Sequence, residues 1–411
     1  MKNLILYLSF LGVFGASAQE INPVFDDTIF DGNRLNITSF NYYASNFANN
    51  EFIDKFIFGG EITTDLKDRI SSHLGRNNSF GGEAEQKFEH FNGDLFPFKK
   101  DKYGLIISFS DNHLVSGNVS SDLFNTVFYG NANSLNDTLD FGFSHILYQH
   151  YLKLGFGVYD KSTLSSLTVS YVSGSRGFEG RLNNTWMHST QDSISFMLQG
   201  AGFRTDSSKG YWGFQGSGIA LDLNYNFQFD SRNGYNQLLN LKISNIGLMA
   251  WNGNTYHYAV DSLNTYKGFN VSDFLNCGDA GAKVYNFNDT LGINSRQGKQ
   301  LSALPIEFSI QKVPLKHSLQ KIQYLMGFKT ILTADYFPYF FGGLYYMPNP
   351  HFAASTRVSY GGFGGLQWGL NLNLWLKNKV YFSLGSFDLI GVASKKHGFG
   401  RSINFSANFN L

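Results

Sequence analysis

Along much of this chain every second residue is apolar, and the residues between are small and polar. Ile219, Leu221, Leu223, Tyr225, Phe227 and Phe229 alternate with Ala220, Asp222, Asn224, Asn226 and Gln228. Leu366, Trp368, Leu370, Leu372, Leu374 and Leu376 alternate with Gln367, Gly369, Asn371 and Asn373. A strand sends successive side chains to opposite faces, so each segment has one lipid-like face and one water-like face. Weaker copies occur at Leu139, Phe141 and Phe143, at Leu152 to Val158, at Leu167 to Tyr171, at Ile194 to Leu198 and at Val380 to Leu384. A soluble antiparallel sandwich also alternates, but its polar face is normally rich in Lys and Glu. Here that face is Asn, Ser, Gly and Gln.

Composition points the same way. Only 15% of the 411 residues are charged and 17% are aromatic, which is low charge for a soluble surface. The 32 basic and 31 acidic residues nearly cancel, which gives no electrostatic case for binding nucleic acid. Mean hydropathy is −0.19, and no stretch beyond the N-terminus has the roughly 18–20 apolar residues of a spanning helix. A closed barrel is the remaining way through a bilayer, because it pairs every backbone group across its strands. The expected fold is an all-β transmembrane antiparallel barrel over 19–411. At roughly 25–30 residues per strand and connection, it has about 14 strands.

Residues 1–18 read as a secretory signal: Lys2, an apolar run from Leu4 to Phe14, then Ala16-Ser17-Ala18, with cleavage expected between Ala18 and Gln19. The final segment, Ile403 to Leu411, alternates to its last residue and resembles the C-terminal strand read by the outer-membrane barrel-assembly machinery. The expected location is the bacterial outer membrane.

Some segments depart from alternation. Thr64 to Leu74 reads as a helix with Thr64 as its cap, and Ser121 to Tyr129 reads as a helix stopped by Gly130. Ser272 to Asn276 is a third candidate. Each is either a plug or rim element or an ordered loop. Gly75 to Lys102 reads as a long loop with a strand in part of it. Tyr336, Phe337, Tyr339, Phe340, Phe341, Tyr345 and Tyr346 crowd among Gly and Pro, as either a strand and turn at the membrane interface or a partner-docking surface.

No nucleophile, metalloprotease or nucleotide-loop motif is present. The single cysteine, Cys277, forms no intramolecular disulfide. The histidines are scattered, and His145 and His150 are five apart, which places them on opposite strand faces. No catalytic, metal or cofactor set is expected. Gly213, Gly216 and Gly218 read as room for a backbone bend. The repeated Asp-hydroxyl-aliphatic tripeptides, as at Asp137-Thr138-Leu139 and Asp192-Ser193-Ile194, are either turn chemistry or similar to a Bacteroidota O-glycosylation sequon. Asp222, Asn224, Asn226, Asn371 and Asn373 are expected to face the lumen, and Phe227 the lipid.

The order of short motifs resembles an uncharacterised Bacteroidota outer-membrane family, domain of unknown function 5723. They are Gly216-Ser217-Gly218 with Asp222-Leu223, then Ser244-Asn245-Ile246-Gly247 with Trp251, then Gly268-Phe269, Leu304-Pro305 and the Gly361 to Gly369 strand. The resemblance implies a barrel of the fatty-acid-transporter or porin V type. Asn22-Pro23-Val24 only approaches the hatch signal of the fatty-acid channels. The functional expectation is a non-enzymatic, porin-like barrel that contacts outer-membrane lipid and serves as a partner-binding subunit of a secretion or assembly complex. The alternative is a channel for hydrophobic small molecules.

Overall fold

The computed structural model describes residues 33–94, 102–230, 236–266, 292–316, 318, 320–332, 334–376 and 379–411. The expected signal segment, Cys277, the Gly268-Phe269 motif and the helix expected at Ser272 to Asn276 lie outside them.

The strands are β1 (Asn33–Ser45), β2 (Asn78–Asn92), β3 (Tyr103–Val119), β4 (Thr138–Asp140), β5 (His145–Asp160) and β6 (Ser166–Leu182). There follow β7 (Trp186–Ser189), β8 (Ile194–Arg204), β9 (Gly216–Asp230), β10 (Asn236–Tyr266), β11 (Asn294–Ala303) and β12 (Glu307–Val313). The last six are β13 (Ile322–Ile331), β14 (Phe337–Asn349), β15 (Phe352–Gly362), β16 (Leu366–Leu376), β17 (Val380–Ser386) and β18 (Gly400–Asn410). Neighbours pair antiparallel around the sheet, and β1 pairs with β18 from Arg34↔Asn410 to Ala44↔Gly400, which closes it. β11 and β12 make one stave against β10, β8 and β9 share another between β6 and β10, and β4 and β7 stand outside the ring, so the barrel has 14 strands. Closure leaves neither β1 nor β18 as an edge strand.

The two ends differ. Connections 161–165 and 350–351 are tight, while 46–77, 120–144, 183–215 and 387–399 at the other end are long. β1 begins and β18 ends at the same rim, where the Leu411 N–H donates to the Asn33 carbonyl at 2.8 Å. At the long-loop rim, β8 takes the place of β9 between β6 and the upper part of β10.

The faces are the reverse of a water-soluble protein. On β16, Leu366, Trp368, Leu370, Leu372, Leu374 and Leu376 point outward and are exposed, whereas Gln367, Asn371 and Asn373 are buried. Tyr225, Phe227 and Phe229 on β9, Leu154 and Phe156 on β5, and Ile403 on β18 continue the outer belt. Such a belt is stable only where the outer solvent is apolar. No described helix is long and apolar enough to cross a membrane.

Several local expectations need correction. The strand expected within Gly75 to Lys102 is present and longer than a part-strand reading suggests: β2 runs Asn78–Asn92. Its alternation has the same sense as the other staves but with charges for amides: Glu85, Lys87 and Glu89 point into the interior while Phe88 is exposed outside. Leu139 to Phe143 is not a barrel strand: only Thr138–Asp140 is extended, Phe143 takes a left-handed φ of 60°, and its ring is exposed.

The helices α1 (Asn50–Phe58), α2 (Thr64–Ser71) and α3 (Ser121–Tyr129) lie at the long-loop end, where Phe47, Phe52, Leu66, Ile70 and Phe124 form one buried cluster. The cap of α2 is Thr63, one residue before the expected Thr64; its side chain accepts the Leu66 N–H. α3 ends at Gly130 with φ 78°. A short α4 (Leu389–Ala393) and α1 carried no clear sequence signal.

Candidate functional site

The interior is built from inward side chains that hydrogen-bond to one another. Asn240 Nδ2 donates to Asn224 Oδ1 at 2.6 Å and to Asn226 Oδ1 at 2.8 Å. Asn371 Nδ2 donates to Ser383 Oγ at 2.8 Å, and the Tyr381 hydroxyl donates to Asn373 Oδ1 at 2.7 Å. Buried amides need such partners, because an unpaired one costs about 1–3 kcal/mol. Asp222, Asn224, Asn226 and Asn371 line an interior cavity of about 150 Å³, shared with Glu85, Lys87 and Lys153. Lys153 Nζ donates to Asp222 Oδ1 and Oδ2 at 2.9 and 2.6 Å and to Asn245 Oδ1 at 2.8 Å.

Elsewhere the interior is packed. One buried cluster joins Phe40 of β1, Leu114 of β3 and Leu147 of β5 to Ile331, Tyr339, Phe341 and Tyr345 of β13 and β14 and to Trp375 of β16. Lys329 of β13 reaches Glu83 of β2 at 2.8 Å and Glu307 of β12 at 3.4 Å. Since β2 and β13 are not neighbours in the wall, the first pair spans the lumen. At the long-loop rim, His145 Nδ1 meets Asp335 Oδ2 at 2.7 Å, which ties β5 to the β13–β14 connection across the mouth. Thus the described side chains fill the lumen; they do not line a wide pore.

The aromatic stretch, expected as a strand and turn at the membrane interface or as a docking surface, is a strand whose alternation divides it. Tyr336, Tyr339, Phe341 and Tyr345 are buried inside, and only Phe337, Phe340 and Tyr346 are exposed outside. Inward Tyr339 and Phe341 flank the Arg357 guanidinium, which lies 3.3 Å from the Phe387 ring centroid.

A second cavity, of about 580 Å³, opens near the long-loop rim and is lined mostly by apolar groups. Cross-strand pairs place Ile146, Gly180, Gly202 and Tyr258 in one row on the same face. Counting by twos along β5, this is the face of exposed Leu154 and Phe156, the outside of the wall. Phe178, Leu182 and Val260 extend the groove, and Leu123 of α3 and Phe80 of β2 border it. His145, Glu179 and Arg181 supply its few charged neighbours. The sequence reading missed this groove, because its floor is three strand-end glycines brought together by the β6–β8 and β8–β10 pairings.

Below the groove, the same outward row carries Tyr148 and His150, and His113 is the partner of His150 across β3 and β5. Asp111, His113 and His150 bring their ligand atoms within 4.8 Å of one another. Spacing along the chain, on which the expectation of no metal-ligating set rested, does not show this grouping: His150 lies with His113, not with His145.

No family model matches the chain and no curated protein matches it. The resemblance to the Bacteroidota family therefore rests on its short motifs. Among solved structures, the toluene transporter TodX of P. putida matches at 8% identity and a TM-score of 0.38, covering 92% of this chain and 88% of that one. The Ralstonia pickettii toluene transporter TbuX matches at 7% identity and a TM-score of 0.29, covering 97% and 95%. The translocator domain of the autotransporter NalP from Neisseria meningitidis matches at 9% identity and a TM-score of 0.29, covering 100% and 94%. At these scores the likeness carries no functional conclusion.

Proposed function

We propose that this chain is a non-enzymatic outer-membrane barrel that binds a hydrophobic small molecule at its outer wall and handles it laterally, not along the barrel axis. The outer-membrane reading is supported by the inside-out faces, the even strand number and the gathering of the longest described connections at one end. The observation that carries the ligand reading is the contrast between the two cavities. The interior one is small and charged, whereas the rim groove is about 580 Å³ and apolar with few polar neighbours. Ligand sites are typically about 300–1,000 Å³, apolar, and oriented by a handful of polar groups.

The test is binding by the purified barrel in detergent, with a fluorescent long-chain fatty acid and a monoaromatic hydrocarbon as probes. Gly180→Leu is the decisive variant. A Cβ there has its nearest neighbour at 3.5 Å, so the wall accepts it, and the rest of the leucine enters the groove. Saturable binding that Gly180→Leu weakens supports the reading. Absence of binding by the folded wild type overturns it.

A second reading, a partner-binding subunit of an outer-membrane complex, is favoured by the exposed Phe56 and Phe58 of α1 and Val127 of α3 on the long-loop end. A stoichiometric protein recovered with the barrel from native membranes, and released by Phe56→Ser/Phe58→Ser, supports this reading.

A further inference from the structure

On β3 the outward row runs Ile107, Phe109, Asp111, His113, and on β5 it runs Phe156, Leu154, Leu152, His150. The apolar members of these rows are partly or fully exposed, as expected for a lipid-facing wall. An acid and two imidazoles at the top of that row are out of keeping with it, because charge on a lipid-facing surface is costly. They are not left bare. The connection between β8 and β9 folds over them, and the Tyr211 hydroxyl lies 2.7 Å from His113 Nε2. The Tyr211 ring centroid is 4.6 Å from that of His150, and Trp212 stands edge-on at 6.1 Å. His150 is fully buried.

The donor atoms converge. His150 Nε2 is 2.9 Å and His113 Nε2 is 3.4 Å from the same oxygen, Asp111 Oδ1. Ligand atoms bound to one tetrahedral zinc at about 2.0–2.1 Å lie roughly 3.3 Å apart. His113 Nε2 is shared between the Tyr211 hydroxyl at 2.7 Å and Asp111 Oδ1 at 3.4 Å, Asp111 Oδ1 faces both imidazoles, and the enclosed Nδ1 of His150 has no hydrogen-bond partner. A buried polar atom without a partner calls for a specific cause.

We propose that Asp111, His113 and His150 form a binding site for a divalent transition-metal ion on the outer face of the barrel, with Tyr211 and Trp212 of the β8–β9 connection packed against it. Two neutral imidazoles and one carboxylate are a donor set suited to Zn²⁺. The imidazole rings stack at 4.0 Å, so loading turns one of them out of the stack to aim both nitrogens at the ion. Binding also fastens the β8–β9 connection to the wall, because Tyr211 lies against the site.

The test uses the full chain folded in detergent, stripped with a chelator, dialysed against Zn²⁺ and analysed for bound metal. Folding is checked for every variant by the mobility difference between heated and unheated samples. Wild type is expected to hold one zinc per chain, and Co²⁺ in its place to show the visible absorption of a four-coordinate ion. His113→Ala/His150→Ala loses both signals. Asp111→Asn, which keeps the shape and an acceptor oxygen, binds more weakly. His351→Ala, in a turn at the opposite end, retains full occupancy. Wild type holding no more zinc than the folded double variant overturns the proposal, as does equal loss in His351→Ala.

Discussion

Asp222 Oδ1 accepts the backbone N–H of Asn245 at 2.8 Å, joining β9 to the point where β10 bulges. Asn245 has a left-handed φ of 61°, and the register slips there between Ile243 and Ile246. The same carboxylate receives Lys153 from β5, so one acid holds an irregular backbone and neutralises a buried cation. Removing one partner of a buried pair costs about 3–5 kcal/mol, because the other charge is stranded. Asp222→Ala is therefore expected to lower unfolding stability in urea by that amount. Asp222→Asn/Lys153→Met, which strands no charge and keeps an acceptor for Asn245, recovers most of it. An Asp222→Ala barrel as stable as wild type contradicts this role.

Lys329 obeys the same logic across the lumen. It is buried between Glu83 and Glu307, so Lys329→Met leaves two carboxylates without their cation. The expected loss is again about 3–5 kcal/mol, and the triple replacement Lys329→Met/Glu83→Gln/Glu307→Gln restores much of it. Equal destabilisation by the single and triple variants would show that Lys329 acts through packing alone.

The outer wall was legible in the sequence wherever its inward partners were small amides. β16, β9 and β18 show every second residue apolar, and only a closed barrel uses such strands with so little charge. Legibility fell where the inward residues were charged instead of small amides. On β2 Glu83, Glu85, Lys87 and Glu89 face the interior, so the polarity left room for only a part-strand within a loop. Between Tyr336 and Tyr346, both faces are aromatic, one packing the interior and the other meeting the exterior, and linear density could not separate them. The His113–His150 pair depends on β3 pairing with β5 across the excursion through α3 and β4, a register that no local pattern encodes. The glycine motifs are a middle case. Gly174 and Gly216 leave the space that the Trp251 ring fills, since a Cβ at either would lie 2.6 or 3.0 Å from it. At Gly216 the room serves close packing against a tryptophan.

A depth series along β16 tests whether the apolar belt faces lipid. Leu372 lies in the middle of the strand, and Leu366 begins it at the long-loop end. In a bilayer, Leu372→Arg is expected to cost about 2–4 kcal/mol and Leu366→Arg about 0–1 kcal/mol. Refolding into phospholipid vesicles, followed by urea titration, measures both. Equal and small effects at the two positions would mean that this face meets water.

The rim cap gives a pH prediction. Asp54 of α1 accepts Arg401 Nη1 and Nη2 at 2.8 and 3.1 Å, and Lys395 Nζ lies 2.8 Å away. Partial burial acts to raise its carboxyl pKa, but the hydrogen bonds and charges of Arg401 and Lys395 outweigh burial and hold it below the usual carboxylate value. A carboxyl with a depressed folded pKa contributes its stability above the unfolded value, about 3.9, and loses it as pH falls through the folded value. The attachment of α1 to β18 is therefore constant from neutral pH to about pH 5 and weakens below about pH 4. Pepsin cleavage within 46–77 is expected to accelerate across that lower range in wild type. Asp54→Asn, cut with trypsin at neutral pH, is expected to show faster cleavage at Lys55 and Lys67 than wild type under the same conditions. Unchanged cleavage in Asp54→Asn would mean that the Phe47–Phe124 cluster alone holds α1 to the rim.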